Sequence, residues 1–281
     1  MRIAYPPIVD IRTKLVFALV AVTLGSMLAF AAVTYQKAGD MIDDAAAEQL
    51  EGLAESSSDA LESIVDGWEE RVQLVASRTQ LRLSLRDFNA SGDPVSRQRI
   101  QRILDDVTGS VQTIAALATY ARDGRLVAQS GDAADSILAV LYPMSRAEST
   151  ERVRFLGVSF TPDGYPRVAY ATRLAIEGER VGFLFVLLNG ERLGDLTADT
   201  AGLGQTGELM IVMPDSEGAR TLHPVRGSGP EIHGDVLLAE DRDPARLALE
   251  GREGLFQEGL IDYRGQTVWA ATRYISKTGW G

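Results

Sequence analysis

The residue types that carry out most protein chemistry are sparse in this sequence. It has no cysteine and only two histidines, His223 and His233. A structural or catalytic zinc ion takes three or four protein ligands at close spacing, so this pair alone does not make a metal site. Histidine titrates near neutral pH, and the pair therefore stays open as a weak pH sensor. We predict no bound metal and no cofactor.

Residues 202–207 satisfy the pattern Gly-x-Gly-x-x-Gly, which in a dinucleotide-binding domain cradles a pyrophosphate. That fingerprint follows a strand and opens a helix, whereas here the strand-like run ELMIVM comes after the glycines. We interpret the glycines as a link into a strand. The sequence also lacks a nucleophile elbow, a Walker loop and a zinc-protease motif, so we predict no catalytic residues in this chain.

Four side chains are candidates for binding a small molecule. A ligand pocket needs an apolar wall with a few converging polar groups, and arginine and tyrosine can hold a small anion. In the strand predicted over residues 167–176, alternation puts Tyr170 on one face and Arg173 on the other. The alternative is that these are ordinary residues of a sheet. The candidates are Tyr120, Arg154, Tyr170 and Arg173.

An apolar segment near the start is expected to hold the chain in a membrane. Residues 15–33 contain no charge, and a helix of that length nearly spans a bilayer core of about 30 Å. Arg12 and Lys14 precede the segment and acidic residues follow it. The positive-inside rule then predicts a cytoplasmic segment 1–14, a transmembrane helix 15–35 in a bacterial inner membrane, and everything later outside the cell.

A cleaved signal peptide is the competing interpretation of this segment. Ala29, Phe30 and Ala31 fit a small-x-small cleavage site after an apolar run. Signal-peptide apolar regions are usually about 7 to 15 residues long, which favours the uncleaved anchor. Cleavage would make the chain a secreted binding protein.

The remainder of the chain is acidic. Residues 1–37 hold four basic residues and one acidic residue, which leaves 24 basic against 38 acidic residues. An acidic body repels polyphosphate, so we predict no nucleic-acid partner. The partners that stay open are the membrane, a small molecule and a second copy of the chain.

A long helix is predicted after the anchor, over residues 40–85, because there is no proline and apolar or small residues recur every three or four positions. Such a helix must bury this stripe against its own domain, against a second copy, or against both over different turns. A homodimer through the long helix is therefore expected. The stripe consists of Ala47, Leu50, Ala54, Ser57, Leu61, Ile64, Trp68 and Val75.

Beyond the helix the apolar period changes from 3.6 to 2, and one series of strands occurs twice. The first series is predicted at 113–120, 125–129, 153–160, 167–176 and 180–188, and the second at 208–213, 219–223, 254–262 and 266–275. The clearest echo is VAYATR at 168–173 against VWAATR at 268–273. We predict a repeated unit in which residues 280–281 open a fifth strand.

These residues resemble the double Cache domain, the extracytoplasmic sensor of bacterial receptors. ARDGRLVAQSG (121–131) and ERVGFLFVLLNGERL (179–193) resemble its first half; LGQTGELMIV (203–212), DYRGQTVWAATRYI (262–275) and TGWG (278–281) resemble its second half. The resemblance covers roughly residues 40–281. The Arg-x-Trp-Tyr pattern of amine-binding members is absent, since residues 152–155 read RVRF.

The resemblance implies an α+β fold, with an N-terminal transmembrane helix, a long helix and two PAS-like antiparallel sheets. These are a membrane-distal subdomain, 86–200, and an incomplete membrane-proximal subdomain, 201–281. The implied function is ligand sensing for a transmembrane receptor, most like a two-component sensor histidine kinase whose second membrane helix and output domain are missing. The alternatives are a diguanylate cyclase or chemoreceptor sensor region.

Overall fold

The computed structural model describes residues 10–131, 152–198, 203–204, 206–216, 218–223, 236–237 and 243–281. The chain divides into two compact units, Met1–Gln49 and Leu50–Gly281. In chain order the described helices are α1 (Ile11–Ala76), α2 (Thr79–Ser91), α3 (Pro94–Ser110), α4 (Glu191–Ala198) and α5 (Pro244–Leu249). The described strands are β1 (Ile114–Ala121), β2 (Leu126–Gly131), β3 (Val153–Phe160), β4 (Pro166–Ile176), β5 (Glu179–Asn189), β6 (Val212–Asp215), β7 (Gly218–Thr221), β8 (Val236–Leu237), β9 (Gly254–Ile261) and β10 (Thr267–Thr272).

The first unit is helical from Ile11 onward. Its apolar stretch, residues 15–33, is exposed along its whole length. By length and composition, helix α1 includes a segment that can cross a membrane, as predicted for the anchor. The anchor and the long helix are one element, because α1 runs without interruption from Ile11 to Ala76.

The long helix ends earlier than predicted. Helix α1 stops at Ala76 and α2 begins at Thr79, so the predicted helix over 40–85 is wrong at its carboxyl end. The break is stabilised by a tertiary contact, since the Arg82 guanidinium donates to the carbonyl oxygens of Ser77 (3.0 Å) and Ala175 (3.3 Å). These bonds satisfy a carbonyl at the helix end that a continued helix would have used.

The apolar stripe of the long helix packs against the chain's own domain. Leu61, Trp68 and Val75 are all buried in the cluster that α1 forms with the first sheet. These turns are therefore not available to a second copy. A dimer through α1 would have to use other residues of that helix.

A five-stranded antiparallel sheet follows the helices, in the order β2-β1-β5-β4-β3. One surface of it, here the helix face, carries Leu117, Tyr170 and Val186 into the same cluster as Trp68 and Ile100. The opposite surface, here the far face, carries a second cluster that includes Ala169, Ala171 and Phe185. Alternation along each strand separates the two faces.

The second group of strands repeats this arrangement. Strands β6, β7 and β8 form one sheet, and β9 pairs with β10. Gly281 and Val212 exchange both backbone hydrogen bonds at 2.9 Å, and the Ile275 N–H donates to the Trp280 carbonyl at 2.8 Å. Residues 280–281 thus lie between β6 and the end of β10, as β5 lies between β1 and β4.

One hydrogen bond is the same in both halves. The Thr172 hydroxyl of β4 donates to the Arg152 carbonyl at 2.5 Å, and the Thr272 hydroxyl of β10 donates to the Arg252 carbonyl at 2.6 Å. Both threonines belong to the echoed ATR sequence. The echo therefore falls on strands with equivalent positions and the same side-chain contact.

Candidate ligand-binding face

Three of the four predicted site residues share the far face of the first sheet. Tyr120, Phe183 and Arg173 are direct cross-strand partners on β1, β5 and β4. Arg154 of β3 lies opposite Ala171, two residues before Arg173 on the same side of β4. Directly paired residues point to the same side of a sheet, so Tyr120, Arg154 and Arg173 lie on one surface.

The floor of this surface combines small alanine side chains with the larger Leu156, Phe185 and Leu187. Four alanines, two from β1 and two from β4, are at most 5% exposed, and they flank the buried Phe185 ring. Tyr120 meets Phe185 edge to face, with ring centroids 5.1 Å apart. The alanines are Ala116, Ala118, Ala169 and Ala171.

The polar groups on this floor are suited to an anion. Arg154 is half-buried and Arg173 is exposed, and a guanidinium is a fork of N–H donors whose geometry matches a carboxylate. The described residues of the two rows, 118–120, 154, 171–173 and 183–185, include no aspartate or glutamate. A carboxylate with an apolar body fits this combination better than an ammonium group does.

Tyr170 does not belong to this surface, and grouping it with Tyr120 and Arg154 is a correction to the predicted pocket. Its partner on β3 is Phe155, on the helix face. Burial raises the pKa of its phenol, and the carboxylates of Glu69 and Asp66 add to the effect. The opposite placement of Tyr170 and Arg173 follows the alternation expected from the sequence, because one step along a strand reverses the side-chain direction.

Tyr170 is the first ring of an aromatic chain on the helix face, formed by Tyr170, Phe155, Trp280 and Trp68. Successive ring centroids are 5.7, 5.6 and 6.3 Å apart, and each contact is edge to face. The tyrosine hydroxyl is buried without a hydrogen-bond partner among the described residues. These four aromatic rings connect β4, β3, the 280–281 segment and α1.

An ion pair lies beside the aromatic chain. The Lys277 ammonium donates to Asp66 and lies 3.5 Å from a Glu69 oxygen, both on α1. The hydrogen bond to Asp66 raises the pKa of Lys277. All three side chains are partly exposed, so solvent weakens the pair.

The corresponding surface of the second sheet is occupied by the chain itself. Val212 of β6 and Ala219 of β7 pack with Ala245 of α5, on the side opposite the α1 cluster. A Cβ at Gly281 would lie 2.5 Å from the Ala248 Cβ, so α5 is as close as a glycine permits. Asp243 caps this helix by accepting from the Ala245 N–H at 2.8 Å.

The two histidines, considered from the sequence as metal ligands or a pH sensor, do not form a site among the described residues. His223 is buried, and its Nε2 accepts from the Ile211 N–H at 2.9 Å. His233 lies outside the described residues. Among the residues that the structure describes, no three metal-ligating side chains come together.

An open groove of about 600 Å³ borders α1 near Asp59, Glu62 and Glu70. Its lining also includes Asp66, Arg71 and Arg192, so carboxylates outnumber guanidinium groups there and disfavour an anion. We therefore place the candidate site on the far face.

No protein-family model matches the chain, and no curated protein sequence matches it. The ligand-binding domain of the Pseudomonas fluorescens chemoreceptor CtaA, solved with L-isoleucine, aligns at TM-score 0.50 and 13% identity, over 86% of this chain and 92% of that one. The chain has the fold of a Cache sensor domain. The predicted α+β fold, an N-terminal apolar helix followed by antiparallel sheets, is confirmed.

Two further structures align less closely. The ligand-binding domain of the Campylobacter jejuni chemoreceptor Tlp3, with 4-methylisoleucine, has a TM-score of 0.46 and 10% identity, over 64% of this chain and 69% of that one. The extracellular domain of vpHK1S-Z8, assigned as a histidine kinase, has a TM-score of 0.43 and 13% identity, over 63% and 71%.

Sequence reasoning missed the aromatic residues of this Cache far face. Phe183 and Phe185 fall on the same side of β5, and the alternation that identified Arg173 also applies to them. What the sequence does not contain is the register between strands, which sets Phe183 beside both Tyr120 and Arg173.

Proposed function

We propose that the chain is the ligand-sensing region of a transmembrane signalling receptor, anchored in the cell membrane by residues 15–35 with the later residues outside the cell. The Cache fold and an apolar helix long enough to span a bilayer support this proposal. Because one fold hosts many functions, the site must carry the argument. The observation that carries it is the set Tyr120, Arg154 and Arg173 on the alanine floor of the far face.

The ligand class we propose is a small organic acid with an apolar body. Arg154 and Arg173 supply charge-assisted donors in a chain whose overall charge is −11, so the anion preference is local to this surface. L-isoleucine, the ligand of the CtaA domain, carries a carboxylate and an aliphatic side chain. An amino acid also carries an ammonium group, and the described residues of the far-face rows include no carboxylate to receive it.

A thermal-shift experiment on the full chain in detergent tests this function. The panel is acetate, isovalerate, malonate, L-isoleucine, putrescine and glucose. A ligand that binds only the folded state stabilises it by about 2.7 kcal/mol at a hundredfold excess over Kd, so a carboxylate should raise the Tm by several degrees.

Arg154→Gln should abolish that shift, and Arg99→Gln on the exposed side of α3 should preserve it. An unchanged Tm with every carboxylate, or a shift that Arg154→Gln leaves intact, would contradict anion binding at this face.

The output that we propose is a two-component histidine kinase acting as a homodimer through α1, on the strength of the DYRG and TGWG resemblance. A chemoreceptor is a second candidate, since the CtaA domain at TM-score 0.50 belongs to one. The chain can be joined in turn to a kinase module and to a chemoreceptor signalling module. We expect the carboxylate found by thermal shift to control the kinase fusion, and control of the chemoreceptor fusion alone would favour the second candidate.

We also propose that residues 86–200 and 201–281 form two PAS-like subdomains. The shared strand order and the repeated threonine bond support it. Separate expression of residues 40–200 would test it, because an independent subdomain should unfold cooperatively without the second half.

A further inference from the structure

Strand β3 has neighbouring residues with separate contacts on the two faces of the first sheet. Arg154 lies on the far face, opposite Ala171. Phe155 lies on the helix face, where its ring meets Tyr170 at 5.7 Å and Trp280 at 5.6 Å. A displacement of β3 at one residue therefore displaces the other.

Trp280 connects three parts of the second unit. Its ring is 1% exposed and contacts Phe155 of the first sheet and Trp68 of α1. Its backbone carbonyl accepts from Ile275, and the next residue, Gly281, pairs with Val212 of β6. Trp280 is therefore in contact with the first sheet, the second sheet and the helix at once.

Strand β3 is, with β2, one of the two strands of the first sheet that a neighbouring strand holds on one side alone. It is an edge strand, paired only with β4 in the described sheet. Its register slips between Phe155 and Gly157, which marks a β-bulge, and Gly157 has φ +140°, a backbone conformation that favours glycine. A bulge interrupts the ladder, so fewer hydrogen bonds oppose a local displacement at Phe155.

We propose that β3 couples the far face to helix α1, with Arg154 receiving the ligand and Phe155 passing the displacement through Trp280 to Trp68. This inference rests on the proposed function and specifies its regulation. Phe155 and Trp280 are positioning residues, since neither touches the ligand. The ligand shifts the balance only by binding one placement of β3 more tightly than the other.

The test uses the three tryptophans of the full chain in detergent, labelled with 5-fluorotryptophan and followed by ¹⁹F NMR. Trp68 and Trp280 belong to the proposed route and the half-buried Trp269 serves as an internal reference. Arg154→Glu, with Arg154→Gln as a milder variant, disturbs β3 from the far face without any ligand. Arg173→Glu makes the same charge change on the same face, but from β4.

We expect Arg154→Glu to move the Trp280 and Trp68 resonances by more than their linewidths, and Arg173→Glu to leave both in place. In a Phe155→Leu background the Arg154→Glu effect should disappear. Coupling through β3 is overturned if both charge reversals act alike, if neither moves Trp280, or if the effect survives Phe155→Leu. Because no ligand is used, a failed thermal shift with an intact ¹⁹F response would reject the ligand class and leave the coupling standing.

Discussion

Trp68 of α1 and Trp280 meet edge to face, with ring centroids 6.3 Å apart and planes at 80°. Both rings are about 1% exposed, although the residues lie at opposite ends of the second unit's sequence. Aromatic pairs of this kind contribute about 0.5–1.5 kcal/mol beyond the area they bury. The contact therefore holds the segment 275–281 against the helix.

Trp280→Ala should destabilise the chain far more than Lys277→Gln, although both remove a contact with α1. Truncating a buried tryptophan costs about 3–5 kcal/mol, whereas a partly exposed ion pair contributes about 0–1 kcal/mol. Urea denaturation of the full chain in detergent measures both losses. Equal losses would mean that the ion pair with Asp66 and Glu69, rather than the aromatic contact, holds the segment.

Thr172→Val and Thr272→Val should each lower the free energy of unfolding by about 1 kcal/mol, since each removes the same hydroxyl-to-carbonyl bond in its own half. Thr119→Val is the matched control. The Thr119 hydroxyl is buried with no hydrogen-bond partner among the described residues, so its removal should be neutral or stabilising. A large loss from Thr119→Val, or unequal losses from the other two, would contradict the structural equivalence of the halves.

The Asp93 carboxylate should make stability depend on acid pH. It caps α3 by accepting from the Val95 N–H at 3.0 Å and the Ser96 N–H at 3.3 Å, and these bonds lower its pKa. A lowered folded-state pKa gives stability that is present above the unfolded value of about 3.9 and is lost as pH falls through the folded value. Urea midpoints between about pH 2 and 6 should fall less steeply for Asp93→Asn, which keeps the cap uncharged. Parallel curves would contradict this assignment.

A dimer through α1 should use turns outside the domain-packed region. The chain has no cysteine, so single-cysteine variants need no other change. Met41→Cys, on a side chain 71% exposed, should form disulfide-linked dimers on oxidation in membranes. Ser63→Cys should not, because residue 63 lies in the turns of α1 whose Leu61 and Trp68 pack against the chain's own domain. Cross-linking at residue 63 but not at residue 41 would reverse the proposed interface.

Local strand signals were sufficient for most of the first sheet. The predicted strand 153–160 coincides with β3, and the predicted 167–176 differs from β4 by one residue. Alternation of apolar residues and glycine-containing turns set these limits. In the second half the apolar run 208–213 was predicted as a strand, but β6 begins only at Val212, and the Ile211 N–H just before it donates to the His223 side chain instead of to a strand.

Some helix ends have local signals in the sequence, and others depend on tertiary contacts. Asp93 with Pro94, and Asp243 with Pro244, are N-cap and first-turn signals that would have located α3 and α5 had they been used. The break after Ala76 has no such signal, since it depends on Arg82 reaching a carbonyl of β4. The contact of Phe155 with Trp280 is likewise set by tertiary packing alone.

The position of α5 over the second sheet bears on how many ligand molecules one chain binds. In the first half the equivalent face carries arginines on an alanine floor, while in the second half Ala245 and its neighbours fill it. Under the proposed function, the described residues then hold one recognition surface, and the corresponding surface of the second half serves internal packing. A single chain should then saturate hyperbolically with one ligand molecule, and any steeper dose response must arise between chains.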